Sequence, residues 1–178
     1  MIRKIAYSAF ALALAASIAL SQDKPAEKKA PSASGLLQPS MDPTGGWSSS
    51  GAMGERAAEP WSNTTKGASV DNKPLPGQTV TLTGEVLDLS CYPQLGKHGD
   101  KHSSCGKKCI ANGEPIGLVT KAGALYVLMA EEHDPRRDGG VGFRKAASDN
   151  FAKVMTVTGT ETTVNGIKAV YVQGYVGK

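Results

Sequence analysis

The sequence predicts an all-β protein with short helices, in which a small five-stranded barrel follows a disordered tether. Two observations lead to this prediction. Apolar and polar residues alternate in five separate segments of the second half of the chain, as they do in strands with one buried face. A segment with helical character stands between the third and the fourth of these strands. Five strands in about 100 residues, with a helix after the third strand, are typical of an OB-like barrel.

The bounds of the predicted elements follow from the alternation and from the turn residues between the strands. The first strand contains Gly84, where we predict a bend. The last two strands flank Asn165-Gly166, a dipeptide that favours a tight hairpin turn. Strands are predicted at 79–90, 115–120, 124–130, 153–163 and 167–176, and a short helix is predicted at 143–151.

The first 77 residues differ in composition from the barrel predicted at 78–178. Residues 1–21 have the basic start and the short apolar run of an export signal, with small residues before the predicted cleavage site. Residues 22–77 are rich in Ser, Gly and Pro and are predicted to form a flexible linker. We therefore expect an exported protein, periplasmic or extracellular, with no membrane attachment once the signal is cleaved.

Charge and aromatic content limit the predicted partners. The formal net charge is +4, and it falls to +2 when Arg3 and Lys4 are removed with the signal. So small a charge, with few aromatic residues in the barrel, predicts no nucleic-acid binding. Trp47 and Trp61 are unusual in a polar linker, and each is a candidate contact with the barrel or with a protein partner.

All three cysteines of the chain lie in one stretch between the first two predicted strands. The spacing of His102, Cys105 and Cys109 places these side chains within an arc of roughly 60° on a helix. An Asn-Gly pair at 112–113 provides the end of that helix. Cys91 precedes the helix and is close enough in sequence to fold back over the same face. We therefore predict a Cys3His metal site formed by Cys91, His102, Cys105 and Cys109.

This ligand set indicates the kind of metal. Three thiolates and one imidazole are a standard tetrahedral set for zinc, and they also suit cuprous copper, which prefers sulfur. An odd number of cysteines in an exported chain favours metal ligation, because only one internal disulfide can form. We expect one zinc or copper ion in a structural or metal-handling role, and the sequence does not support an enzymatic activity.

Two other interpretations of the cysteines stay open. In the first, Cys91 forms a disulfide with Cys105 or Cys109, no metal is bound, and the barrel is an extracytoplasmic interaction module. In the second, a reactive cysteine at the helix start carries out thiol–disulfide exchange. Of the remaining histidines, His98 is predicted to be solvated, and His133 to belong to a charged surface segment rather than to a second metal cluster.

A resemblance supports the same grouping of residues. The chain has the motif D-x-x-C-Y at 88–92, H-x-x-C-x-x-x-C at 102–109 and G-x-P-x-G-L at 113–118. In this it resembles small exported OB-like bacterial proteins that have no assigned activity. The resemblance covers only the predicted barrel. It implies the fold and the grouping of the cysteines with the histidine, and it implies no particular ligand.

Overall fold

The alternating segments of the sequence form the strands of a closed barrel. The computed structural model describes residues 41–131 and 138–175, and at 138–140 it describes the backbone alone. The signal predicted at 1–21 therefore lies outside the described residues. The strands are β1 (Ala52–Met53), β2 (Gln78–Asp88), β3 (Ile116–Thr120), β4 (Leu125–Ala130), β5 (Val154–Val164) and β6 (Ile167–Val172).

Short helices connect the strands. Those in the described part of the chain are α1 (Asn63–Ala68), α2 (Cys91–Leu95), α3 (Ser103–Ala111) and α4 (Asp138–Asp149), with 3-10 turns at Val70–Asn72 and Asp100–His102. Residues 89–115, which we call the insertion, carry α2 and α3 between β2 and β3. Helix α4 lies between β4 and β5, where the sequence predicts a helix.

Five of the strands close into the barrel. β2 pairs antiparallel with β5 on one side and with β3 on the other. β4 pairs antiparallel with β3 and parallel with β6, and β6 returns antiparallel to β5. β1 lies outside the barrel, parallel to β5. This order, with the third and fifth barrel strands parallel, is that of an OB-like barrel and confirms the predicted fold class.

Gly84 stands where β2 pairs with both of its neighbours, opposite Thr120 of β3 and Met155 of β5. A Cβ at this position would lie 2.6 Å from the carbonyl oxygen of Val119, so a larger residue would push β3 away. Around this crossing, the barrel is filled by apolar side chains that are fully buried, among them Val86, Leu118, Val157 and Val170.

Residues 41–77, which the composition assigns to the flexible linker at 22–77, lie against the barrel instead. Met53 of β1 is 2% exposed and belongs to the core. Trp61 packs edge-on against Tyr171 with ring centroids 5.3 Å apart, and its Nε1 donates a hydrogen bond to the carbonyl oxygen of Leu75 at 2.9 Å. This segment shows no periodicity because a few anchoring side chains attach it, rather than a regular apolar face.

The helix predicted at 143–151 is longer and begins earlier than expected. α4 starts at Asp138 and ends at Asp149. The prediction that its aromatic residues face inward is confirmed, because Phe143 is 3% and Phe151 is 1% exposed. The last strand is shorter than predicted, since β6 ends at Val172.

Candidate metal centre

The insertion returns the chain to the end of β2. Asp88 is the last residue of β2, and Cys91 begins α2, which ends at Leu95 and is capped by Gly96 in the left-handed region with φ at 66°. The 3-10 turn Asp100–His102 then leads directly into α3. This path brings His102 back to Asp88, although the two residues are fourteen positions apart in the sequence.

Asp88 joins these elements through its carboxylate, which is 0% exposed. Its Oδ1 accepts hydrogen bonds from the hydroxyl of Ser90 at 2.8 Å and from the backbone N–H of Cys91 at 2.7 Å. Its Oδ2 lies 3.1 Å from Nε2 of His102. Burial by itself would raise the pKa of Asp88, but the three hydrogen bonds outweigh it and hold the pKa below the ordinary value. Asp88 is therefore ionised at neutral pH.

Asp88, Cys91 and His102 form a group with the geometry to hold a metal ion. One ligand atom from each residue, a carboxylate oxygen, a sulfur and a ring nitrogen, lies within 4.8 Å of both others. Metal–ligand bonds of about 2.0–2.3 Å in a tetrahedral site place the ligand atoms about 3.3–3.8 Å apart. These three atoms therefore need to move by only about 1 Å to bind one ion.

Cys105 and Cys109 form a second pair of sulfurs, one turn apart on α3. Neither residue belongs to the 4.8 Å group. Burial is the largest of the causes that raise the pKa of Cys109, and the neighbouring Cys105, Asp88 and Cys91 also raise it, to about 11 in all. The sulfur of Cys109 thus lies within the electrostatic influence of the group, and it is protonated at neutral pH.

The structure therefore divides the four predicted ligands into two sets. Cys91 and His102 meet at Asp88, whereas Cys105 and Cys109 lie one turn apart on α3. All three cysteines lie among the described residues and are free thiols, so no disulfide fastens the insertion to β2.

His102 is also held by the barrel core. The residue is 7% exposed, and its ring packs edge-on against Phe151 with centroids 5.7 Å apart. Gly106 of α3 covers the same phenyl ring, and a Cβ at Gly106 would lie 2.0 Å from Cζ of Phe151. The carboxylate of Asp88 and the ring of Phe151 together determine where the imidazole of His102 lies.

The prediction that His98 is solvated is wrong. Its side chain is 21% exposed, its Nδ1 lies 2.8 Å from Oε2 of Glu85, and its ring meets Tyr92 edge-on. Glu85 is fully buried and also accepts a hydrogen bond from the N–H of Gly99 at 2.7 Å. Burial raises the pKa of Glu85 above its ordinary value, although both hydrogen bonds act to lower it. His98 therefore fastens the loop before α3 to β2.

Asp88 and Glu85 are the two site residues that sequence reasoning did not assign. Both carboxylates lie on β2, three residues apart, and both are fully buried. A carboxylate in the buried part of a strand requires a hydrogen-bonding or charged partner, because its burial is otherwise too costly. Two acidic residues at the end of an apolar strand, directly before a cysteine and two histidines, are the signal that could have identified them.

His133 lies outside the described residues. The neighbouring Glu131 is 3% exposed and has a packing role. It accepts hydrogen bonds from the N–H of Ser62 at 2.9 Å and from the hydroxyl of Thr65 at 2.6 Å. Glu131 thus holds the start of α1 against the barrel.

Comparison with protein-family models, with curated proteins and with solved structures gives no match for this chain. Among the helices of the described residues, none has the length and apolar character needed to cross a membrane. The donor atoms around Asp88 are therefore the basis on which a function can be argued.

Proposed function

We propose that this chain is an exported metal-binding protein that holds one zinc or copper ion beside Asp88, Cys91 and His102, in a structural or metal-handling role. One observation carries the proposal: three donors of different chemistry, supplied by β2 and by the insertion, converge within 4.8 Å. Export rests on the signal-like sequence at 1–21.

The donor types favour zinc and copper over hard cations. Calcium and magnesium need several oxygen ligands, and this group offers one carboxylate with a thiol and an imidazole. Sulfur and imidazole nitrogen are the donors that zinc and copper prefer. A divalent ion would also balance the buried carboxylate of Asp88 and the thiolate of Cys91, and so offset the cost of burying two negative charges.

Cys109 supplies the fourth ligand in this proposal. A tetrahedral site needs a fourth donor, and Cys109 is near enough to Asp88 and Cys91 for both to raise its pKa. Because the pKa of Cys109 is about 11, this thiol must give up its proton when it binds a metal. Metal binding should therefore release protons and should weaken as the pH falls.

The proposal is tested by metal analysis of the full-length chain purified without chelators, followed by titration of the metal-free protein with zinc sulfate and, under anaerobic conditions, with copper(I). We expect about one equivalent of one of these metals to bind. Replacing His102 with Gln should weaken binding at least about 100-fold. His98→Gln is the matched control, because His98 contacts Glu85 and not the metal group, and it should leave the affinity unchanged. Absence of zinc and copper binding, or equal losses in the two variants, would refute the proposal.

A thiol-redox function is the second candidate, and one observation favours it. Cys105 is exposed and lies one turn before Cys109 on α3, so a disulfide-exchange reaction has an accessible first thiol and a second thiol nearby. Equilibration of the metal-free chain in glutathione redox buffers distinguishes the candidates. Complete and reversible oxidation of this pair in a chain that binds no metal would favour the redox function.

A further inference from the structure

We infer that the metal centre is open on the α3 side, and that Cys105 is the thiol through which the ion is exchanged with small anionic thiol carriers. The inference rests on the proposed function. It selects metal transfer over a permanent structural ion, and it names the partner as a thiol compound with a net negative charge.

The candidate donors are unevenly buried. Asp88 and His102 are buried, Cys91 and Cys109 are half-buried, and Cys105 is exposed. Structural zinc sites are closed shells of four protein ligands, whereas sites that exchange ligands keep one accessible position. The exposed sulfur of Cys105 therefore gives an incoming thiol a place to reach the ion without unfolding of the insertion.

The donors differ in how firmly they are held. The carboxylate of Asp88 makes three hydrogen bonds, and the ring of His102 is fixed between Asp88 and Phe151. Cys105 is exposed and lies one turn before the half-buried Cys109 on α3, and Cys109 is near enough to Asp88 and Cys91 for both to raise its pKa. The two cysteines of α3 therefore lead from the surface toward the fixed donors.

Lysine side chains surround the exposed thiol of Cys105. Lys101 and Lys108 are exposed and lie within four residues of Cys105, and Lys107 is half-buried next to them. A cluster of positive charges around an exposed thiol attracts anions and raises their local concentration. Metal complexes of small acidic thiols are anionic, so this surface suits them better than it suits neutral thiols.

The exchange step conserves atoms and electrons. The thiol of Cys105 binds the ion as the carrier's sulfur leaves it, and the proton of Cys105 passes to the departing carrier thiolate. The metal keeps its oxidation state, one metal–sulfur bond forms and one breaks. As the ion moves on to Cys109 and to the group around Asp88, each thiol that binds it gives its proton to solvent, the bond between the ion and Cys105 breaks, and Cys105 takes up a proton from solvent. Release follows the same steps in reverse.

The test measures how fast metal leaves the loaded full-length chain in the presence of a coloured chelator and increasing glutathione. If the inference is correct, the rate rises in proportion to the glutathione concentration, because the thiol attacks the bound ion directly. Glutathione should act about tenfold faster than the neutral thiol 2-mercaptoethanol, and Lys101→Gln with Lys108→Gln should reduce that preference. The Cys105→Ser variant should still bind one ion but exchange it about tenfold more slowly.

The outcomes separate the two proposals. A rate that is independent of glutathione and equal to the rate of global unfolding would identify a structural ion and overturn the inference while leaving metal binding intact. Equal rates in wild type and Cys105→Ser would also overturn it. The dependence of the wild-type release rate on glutathione tests the inference even if Cys105→Ser does not fold. A wild-type chain that binds neither zinc nor copper(I) would overturn both proposals.

Discussion

Replacing Asp88 with alanine removes three contacts from the point where β2 meets the insertion. The backbone N–H of Cys91 and the hydroxyl of Ser90 lose the acceptor Oδ1, and Nε2 of His102 loses Oδ2. The side chain of Asp88 is 0% and that of His102 is 7% exposed, so water does not readily replace these contacts. The metal-free protein should therefore lose stability even before any effect on metal binding.

The expected loss is about 3–5 kcal/mol, the usual cost of removing one partner of a buried charged pair. Summing three hydrogen bonds to a charged group, at about 1.5–3 kcal/mol each, overestimates the loss because such contacts are not additive. Asp88→Asn should cost less, about 1–2 kcal/mol, because the amide oxygen still accepts from Cys91 and the amide nitrogen can form a hydrogen bond with the ring of His102. The alanine variant would retain little of a typical stability of about 5–15 kcal/mol.

Urea unfolding of the metal-free chain measures this loss. With a slope of about 1–3 kcal/mol per molar urea, a 4 kcal/mol loss lowers the midpoint by roughly 2 M. Because the pKa of Asp88 is lowered in the folded state, its stabilisation is present above the ordinary value of about 3.9 and disappears as the pH falls through the lower folded value. The difference between wild type and Asp88→Ala should therefore shrink in acid.

The matched control is Asp149→Ala, which removes an exposed carboxylate paired with Lys145 at 2.6 Å. Exposed pairs contribute little to stability, so the urea midpoint should not change measurably. If Asp88→Ala unfolds at the same urea concentration as Asp149→Ala, Asp88 does not connect β2 to the insertion as argued. If the difference in stability between wild type and Asp88→Ala stays constant as the pH is lowered, Asp88 is not the ionised partner.

Three further predictions concern the packing around the barrel, each measured by urea unfolding. Gly106→Ala should lower the free energy of unfolding by about 1–3 kcal/mol, because its Cβ would lie 2.0 Å from Phe151. Gly67→Ala in α1, where the Cβ would meet open space, should be neutral or stabilising. Equal losses in the two variants would contradict this prediction. Met53→Ala should lower the free energy of unfolding by about 2–5 kcal/mol, since this side chain lies in the core and is 2% exposed. No loss of stability would mean that residues 41–77 form a free linker. Glu85 has a raised pKa, so its contribution is fully present below the ordinary value of about 4.3 and is lost as the pH rises through the folded value. Glu85→Gln should therefore flatten the pH dependence of stability. Parallel profiles of stability against pH in wild type and Glu85→Gln would refute this prediction.

The barrel was predictable because its information is local. Alternation with a period of two identifies each strand, and Asn165-Gly166 identifies the hairpin between β5 and β6. The attachment of residues 41–77 was not predictable in the same way. β1 has two residues, and a single buried side chain, Met53, anchors it. So short a strand has no detectable period, and its parallel pairing with β5 depends on contacts distant in sequence.

The candidate site was predictable in part. Cys91 and His102 were expected to come together, and they do so at Asp88. The sequence spacing did not show that Cys105 and Cys109 stand apart from Cys91 and His102. Helical spacing shows which residues share a face of the helix, but it does not show how far that face lies from a preceding strand. Nor does alternation show which carboxylate of a strand becomes the acceptor for a histidine fourteen positions later.

Contacts with α4 and with the core hold α3 in place. Its C-terminal carbonyl groups accept hydrogen bonds from Nη1 of Arg144, at 2.7 Å for Ile110 and, just beyond the helix, at 2.8 Å for Glu114. Gly106 packs directly on Phe151 in the middle of the helix. These contacts come from α4 and the core, so protein packing fixes the position of α3. A site built in this way differs from zinc fingers, in which metal binding supplies the folding energy. An ion bound as proposed could therefore leave without loss of the fold, which is the property that a metal-handling protein needs and a purely structural centre does not.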